Sequence, residues 1–120
     1  MDTKITIQEL KDFVRKFCEE RDWDQFHNAK DLAIGVTTEA TELLEHFRFK
    51  TNKESDKMLL DSKKKAELSK ELADTFYFVL RFAQKYNIDL SDELIKKIKE
   101  NGLKYPIEKA KGSSKKYTEF

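Results

Sequence analysis

Four carboxylates carry the strongest chemical signal in this chain. Glu39 and Glu42 form one acidic doublet and Glu71 and Asp74 a second, each with i, i+3 spacing, which on an α-helix places both side chains on one face. A short connection between the two helices favours antiparallel packing, and the four carboxylates then converge on one patch. Like charges so gathered repel unless cations neutralise them. Hard oxygen ligands of this kind suit Mg²⁺, with Mn²⁺ as the alternative. In a chain that is 39% charged, such doublets also arise on solvated faces stitched by lysines. Position separates the two readings: Glu39, Glu42 and Glu71 adjoin Ala40, Leu43, Leu72 and Ala73, beside the apolar stripes rather than opposite them.

The elements that must hold these carboxylates read as helices. Three glycines and one proline are too few for the turns of a β-sandwich, while Lys, Glu, Leu and Ala abound, so the fold class is all-α. Thr6 followed by Glu9 is a capping box, Ile5 and Leu10 are placed as a hydrophobic staple, and Ile7, Leu10, Phe13, Val14 and Phe17 recur at helical spacing, which predicts a helix over 6–21. The segment from Trp23 to His27 breaks that pattern. Asn28 and Asp31 cap a second helix with the stripe Leu32, Val36, Ala40, Leu43, Leu44 and Phe47, running to Phe49. Residues 50–61 read as a polar connection with a short helical turn near Met58. A third helix of about 23 residues carries Leu68, Leu72, Phe76, Val79, Ala83 and Tyr86. Asn87 and Asp89 close it and cap a fourth, with Leu90, Leu94 and Ile98, which stops at Asn101 and Gly102. The expectation is four to five helices, with residues 1–107 as a single helical domain and 108–120 as a basic tail that gains order only when something binds it.

Charge and composition narrow the partners. Lys and Arg number 24 against 23 Asp and Glu, and this near-neutral balance argues against general nucleic-acid binding. The distribution is uneven, because residues 95–120 hold eight lysines against three glutamates, a possible polyphosphate contact. That tail lacks an amphipathic apolar face, and the chain has no apolar stretch suited to a membrane span. A lone cysteine, Cys18, excludes an internal disulfide and points to a reducing, cytoplasmic compartment. With only 38% hydrophobic residues the chain buries a modest core by itself, which calls for help from a partner chain.

An ordered series of motifs is more specific than any doublet. Glu20-Arg21-Asp22-Trp23-Asp24-Gln25-Phe26-His27, Glu39-Ala40-Thr41-Glu42-Leu43-Leu44-Glu45, Glu71-Leu72-Ala73-Asp74, Lys97-Ile98-Lys99-Glu100-Asn101, Lys104-Tyr105-Pro106 and Ser114-Lys115-Lys116-Tyr117-Thr118 follow one another over residues 5–118. This series resembles the MazG-like nucleotide pyrophosphohydrolases, and among them the small dCTP pyrophosphatase type. The resemblance implies a helical bundle completed by oligomerisation into a tetramer, a dimer of dimers with active sites near subunit contacts. It also implies Mg²⁺-dependent hydrolysis of a nucleoside triphosphate, dCTP or a modified pyrimidine deoxynucleotide, to the monophosphate and pyrophosphate. The family's metal ligands match Glu39, Glu42, Glu71 and Asp74; its substrate contacts match Trp23, His27, Phe49, Phe78, Lys97 and Asn101, with Lys104 and Tyr105 beyond them. A carboxylate not fully used by metal would take the proton of the attacking water, and Glu42 and Glu45 are both candidates.

Three positions depart from that branch, which has tryptophan at Phe49, tyrosine at Phe78 and histidine at Val14. Each touches the base pocket and removes a hydrogen-bonding group or changes a ring, so the resemblance carries the reaction type further than the base identity. Two rival classes remain to be weighed. A di-iron carboxylate bundle wants Glu-x-x-His, and His46 lies four residues after Glu42 and one after Glu45, so that signature is absent. A non-catalytic helical assembly protein that merely keeps the fold would tolerate substitution within the acidic quartet, which is intact here.

Overall fold

The computed structural model describes residues 1–120 as six α-helices and two 3₁₀ turns, with no β-strand. In chain order these are α1 (Ile7–Glu20), a 3₁₀ turn (Asp24–Phe26), α2 (Ala29–Glu45), α3 (Asn52–Met58), α4 (Ser62–Lys85), α5 (Leu90–Lys104), α6 (Ile107–Ala110) and a final 3₁₀ turn (Tyr117–Glu119). No helix is long and apolar enough to cross a membrane.

Most helix starts follow from side-chain caps, which satisfy backbone N–H groups that the first helical turn leaves without partners. The Thr6 hydroxyl accepts from the Glu9 N–H at 3.1 Å, and the Asn28 carbonyl oxygen accepts from the Asp31 N–H at 2.9 Å. The Asp89 carboxylate does the same for the Asp92 N–H at 2.9 Å. Two helix ends differ from expectation. α2 stops at Glu45 rather than Phe49, because single-turn hydrogen bonds from His46, Phe47 and Arg48 to Leu43, Leu44 and Glu45 tighten the chain before Phe49, whose φ of 62° is left-handed. α5 runs through Gly102 to Lys104, and Pro106 rather than the glycine ends it. The polar connection after Phe49 contains a true helix, α3, begun by a reciprocal capping box between Thr51 and Glu54. Its sequence signal is the Thr-x-x-Glu pair, which an apolar stripe did not accompany.

The chain forms two compact units, Met1–Asn87 and Ile88–Phe120. In the first, α4 packs against both α1 and α2. α2 and α4 run antiparallel: Gly35 lies against Phe78, while His46, eleven residues further along α2, meets Glu71, seven residues earlier in α4. The glycine is required there, since a Cβ on Gly35 would stand 2.4 Å from the Phe78 ring. Leu32, Leu68, Leu80, Ala83 and Cys18 form the buried apolar core. The α4 stripe is covered only in part. Leu72 and Phe76, expected in the core, are exposed and line an open groove of about 740 Å³ with Ala73 and Val79, because the faces of α1 and α2 reach Leu68, Leu80 and Ala83 but not this side of the helix.

The second unit is held by aromatic rings. Tyr105 meets Tyr117 and Phe120 edge-to-face, each with centroids 5.8 Å apart, and the Lys104 ammonium lies 5.1 Å from the Tyr117 ring. The end of the basic tail, at Tyr117 and Phe120, thus packs on Tyr105. On α5, Leu94 and Ile98 are exposed.

Candidate active site

The α2–α4 contact presents two different ends. At one, Glu39 and Glu42 of α2 face Glu71 of α4, with a carboxylate oxygen from each lying within 4.8 Å of the others. Asp74 stands one turn beyond Glu71 on the same helix, and its charge also reaches Glu39. Loss of water around Glu39, and then the neighbouring Glu42, Asp74 and Glu71 charges, hold its carboxyl above the ordinary carboxylate range. Glu71 has one oxygen, Oε1, 3.4 Å from His46 Nε2, while Oε2 is buried without a hydrogen-bond partner. A desolvated carboxylate oxygen with no donor is costly, and a cation among these groups removes the cost. The donor set is entirely hard oxygen, so the residues fit Mg²⁺ or Mn²⁺.

The other end is neutralised from within. Arg81 of α4 is 1% exposed; it pairs with the Asp24 carboxylate and donates from Nε to His27 Nδ1 at 2.9 Å. Lys85 Nζ donates to the main-chain oxygens of Asp24 and His27. Together they tie the Trp23 to His27 segment onto α4. The hydrogen bond from Arg81 draws the Asp24 carboxyl below its usual range, and burial followed by the Arg81 and Lys85 charges lowers the His27 imidazole. Because Arg81 Nε donates to His27 Nδ1, that nitrogen accepts and the ring proton sits on Nε2, which is left free to donate.

An aromatic track runs between these ends. Trp23 meets Phe17 edge-on at 5.5 Å, Phe17 meets Tyr77 at 6.1 Å, and Tyr77 meets Phe78 at 5.1 Å. Phe13, Val14, Phe17 and Tyr77 line a shallow apolar recess of about 250 Å³. The Tyr77 hydroxyl lies 3.2 Å from Cys18 Sγ, and burial, then that thiol, raises the tyrosine pKa. Phe78 is half-buried, one turn beyond Asp74, with its ring on Gly35, itself one turn before Glu39.

Glu39, Glu42 and Glu71 are therefore brought together, Asp74 stands exposed one turn from Glu71 with its charge felt at Glu39, and Trp23, His27 and Phe78 belong to the same unit. Glu45 is exposed and pairs with Arg48 at 3.6 Å. Phe49 is 91% exposed beside the Arg48 guanidinium. Lys97, Asn101, Lys104 and Tyr105 lie in the second unit, where Lys97 and Lys104 reach Glu100 at 3.5 and 3.6 Å. Sequence reasoning missed two participants. His46 carried a usable signal, one turn from Glu42, whereas nothing in its spacing sets Arg81 apart from a solvated arginine.

Fold and site together define an all-helical protein that gathers a carboxylate cluster on two antiparallel helices. Residues 34–120 match the model of the MazG-like family, and the chain belongs to that family. It is 32% identical over 115 residues to dCTP pyrophosphatase 1 of Mus musculus and, equally, to that of Homo sapiens, matches that span 96% of this chain and 68% of those proteins. It also resembles the crystal structure of a pyrophosphatase from Archaeoglobus fulgidus DSM 4304, with a TM-score of 0.77 and 31% identity over 83% of this chain and 92% of that one.

Proposed function

We infer that this chain is a nucleotide pyrophosphohydrolase that converts a deoxynucleoside triphosphate, dCTP or a modified pyrimidine relative, to the monophosphate and pyrophosphate. The observation that carries the reading is the Glu39, Glu42 and Glu71 cluster with an unsatisfied Glu71 oxygen. Two relatives named dCTP pyrophosphatase 1 support the choice of substrate class. Glu39, Glu42, Glu71 and Asp74 would hold Mg²⁺ or Mn²⁺, which offsets phosphate charge and polarises a water molecule. The water oxygen forms a bond to the α-phosphorus as the bond to the bridging oxygen breaks, and pyrophosphate departs. Glu42 or Glu45 takes the water proton.

The base is proposed to rest along the Trp23, Phe17, Tyr77 and Phe78 track, where a ring face stacks on it and the His27 Nε2–H is available to a carbonyl acceptor. Lys97, Asn101, Lys104 and Tyr105 are proposed phosphate or base contacts, and Phe49 an aromatic one. The exposed Leu72 and Phe76, and separately Leu94 and Ile98, support assembly into a homo-oligomer, a tetramer in this proposal. A cytoplasmic setting, in which a free thiol such as Cys18 persists, belongs to the same proposal.

A panel of deoxynucleoside and ribonucleoside triphosphates incubated with Mg²⁺, with products resolved as pyrophosphate or orthophosphate, tests the reading. Pyrophosphate from pyrimidine deoxynucleotides is expected. Orthophosphate with a diphosphate product contradicts the bond assignment, and no turnover with either Mg²⁺ or Mn²⁺ leaves an assembly protein that keeps the fold.

A further inference from the structure

We propose that His46 is a positioning residue for Glu71: its imidazole occupies Oε1, so that Glu71 presents Oε2 alone to a divalent cation. This rests on the metal reading above and adds a residue and a selectivity to it. His46 comes from the C-cap of α2 and Glu71 from the middle of α4, and both side chains are half-buried where they meet at 3.4 Å. A carboxylate oxygen accepts hydrogen bonds, so in the tautomer that makes this contact His46 Nε2 is the donor. The two oxygens of Glu71 are thereby made unequal: Oε1 has a protein donor, whereas Oε2 is buried and has none. The backbone of His46 is itself fixed, since its N–H bonds to the carbonyls of Leu43 and Leu44. The imidazole is therefore delivered by a rigid element.

Unequal oxygens have a consequence for the ion. Mg²⁺ and Mn²⁺ take oxygen ligands in compact octahedral geometry and use a glutamate through one atom, whereas Ca²⁺ accepts more ligands and readily takes both. With one Oε1 lone pair engaged by His46, the two-atom mode at Glu71 is disfavoured relative to ligation through Oε2. His46 accordingly favours the smaller ions, in the way that outer partners of metal ligands orient them and tune affinity.

The test is Mn²⁺ binding to the full chain by electron paramagnetic resonance, with Ca²⁺ as competitor. The variants are His46→Leu, which keeps apolar volume, and His46→Gln, which keeps an N–H donor. His46→Leu is expected to weaken Mn²⁺ about 10- to 100-fold and to reduce the preference for Mn²⁺ over Ca²⁺. His46→Gln is expected to recover most of both, and it decides the matter if the leucine variant does not fold. A merely structural role would lower the melting temperature while leaving the Mn²⁺ to Ca²⁺ ratio of the folded protein unchanged, and that result overturns the proposal. Glu71→Gln separates the two levels: if the parent binds Mn²⁺ and loses it in Glu71→Gln, yet His46→Leu matches the parent in both readouts, only the role of His46 falls. A parent that binds no Mn²⁺ overturns the metal reading and this inference together.

Discussion

The same two helices treat charge in opposite ways at their two ends. Where α4 passes the start of α2, a buried cation, Arg81, is matched by the Asp24 carboxylate and the neutral His27, and Lys85 caps the adjoining carbonyls. Where α4 passes the end of α2, carboxylates face one another, one buried oxygen is left unpaired, and Glu39 is driven toward protonation. Electrostatics completed within the chain serves the fold, because removing any member leaves a polar group without its partner. Electrostatics left incomplete needs a ligand from outside. Between the two lies a purely steric contact, Gly35 against Phe78, which brings the helices close enough for both ends to form.

This contrast predicts that activity and stability separate along the contact. The largest effect is expected from Glu42→Gln or Asp74→Asn, each lowering turnover by more than about 100-fold, beyond the loss typical of an outer partner, while the helical circular dichroism signal persists. Retained turnover in both variants would break the contrast at its acidic end. Arg81→Ala is expected to act in the other currency, costing about 3 kcal/mol in urea unfolding through lost volume and hydrogen bonds, with Mn²⁺ affinity little changed. An Arg81→Ala protein as stable as the parent would mean that the buried guanidinium is not the anchor of the Trp23 to His27 segment.

The smallest effect concerns acid. Asp24 has a folded pKa below its ordinary 3.8, so the unfolded chain binds more protons there and the pair contributes stability above that value, lost as pH falls through the lowered folded pKa. Because the Asp24 side chain is 56% exposed, the contribution is modest. Asp24→Asn should lower stability modestly at neutral pH and flatten the acid limb below about pH 4, so that parent and variant converge in acid; an unaltered acid limb would assign that pH dependence to other carboxylates.

Much of this was legible beforehand, for reasons that differ by residue. The i, i+3 doublets declared a shared face because helical spacing is a local property, and an antiparallel pair then had few ways to place them. Caps such as Thr6, Asn28 and Asp89 worked for the same reason. The sequence shows the helix at Asn52–Met58 only as a short turn near Met58, because its signal is a cap without a stripe, and it does not show the exposure of Leu72 and Phe76, because periodicity reports a face and not what covers it. Partial coverage is decided by neighbours.

The amino-acid order by itself determined the all-α class, the two acidic doublets and the family resemblance, each of which depends on residues close in sequence or on an ordered set of motifs. Only the tertiary structure decided that Arg81 is buried against Asp24 and His27, that His46 reaches Glu71 across 25 residues, and that one Glu71 oxygen is left without a partner. The physical reason is common to all three: a charged side chain has the same local sequence signature whether water or another side chain solvates it. Which of the two does so is set by the approach of distant segments.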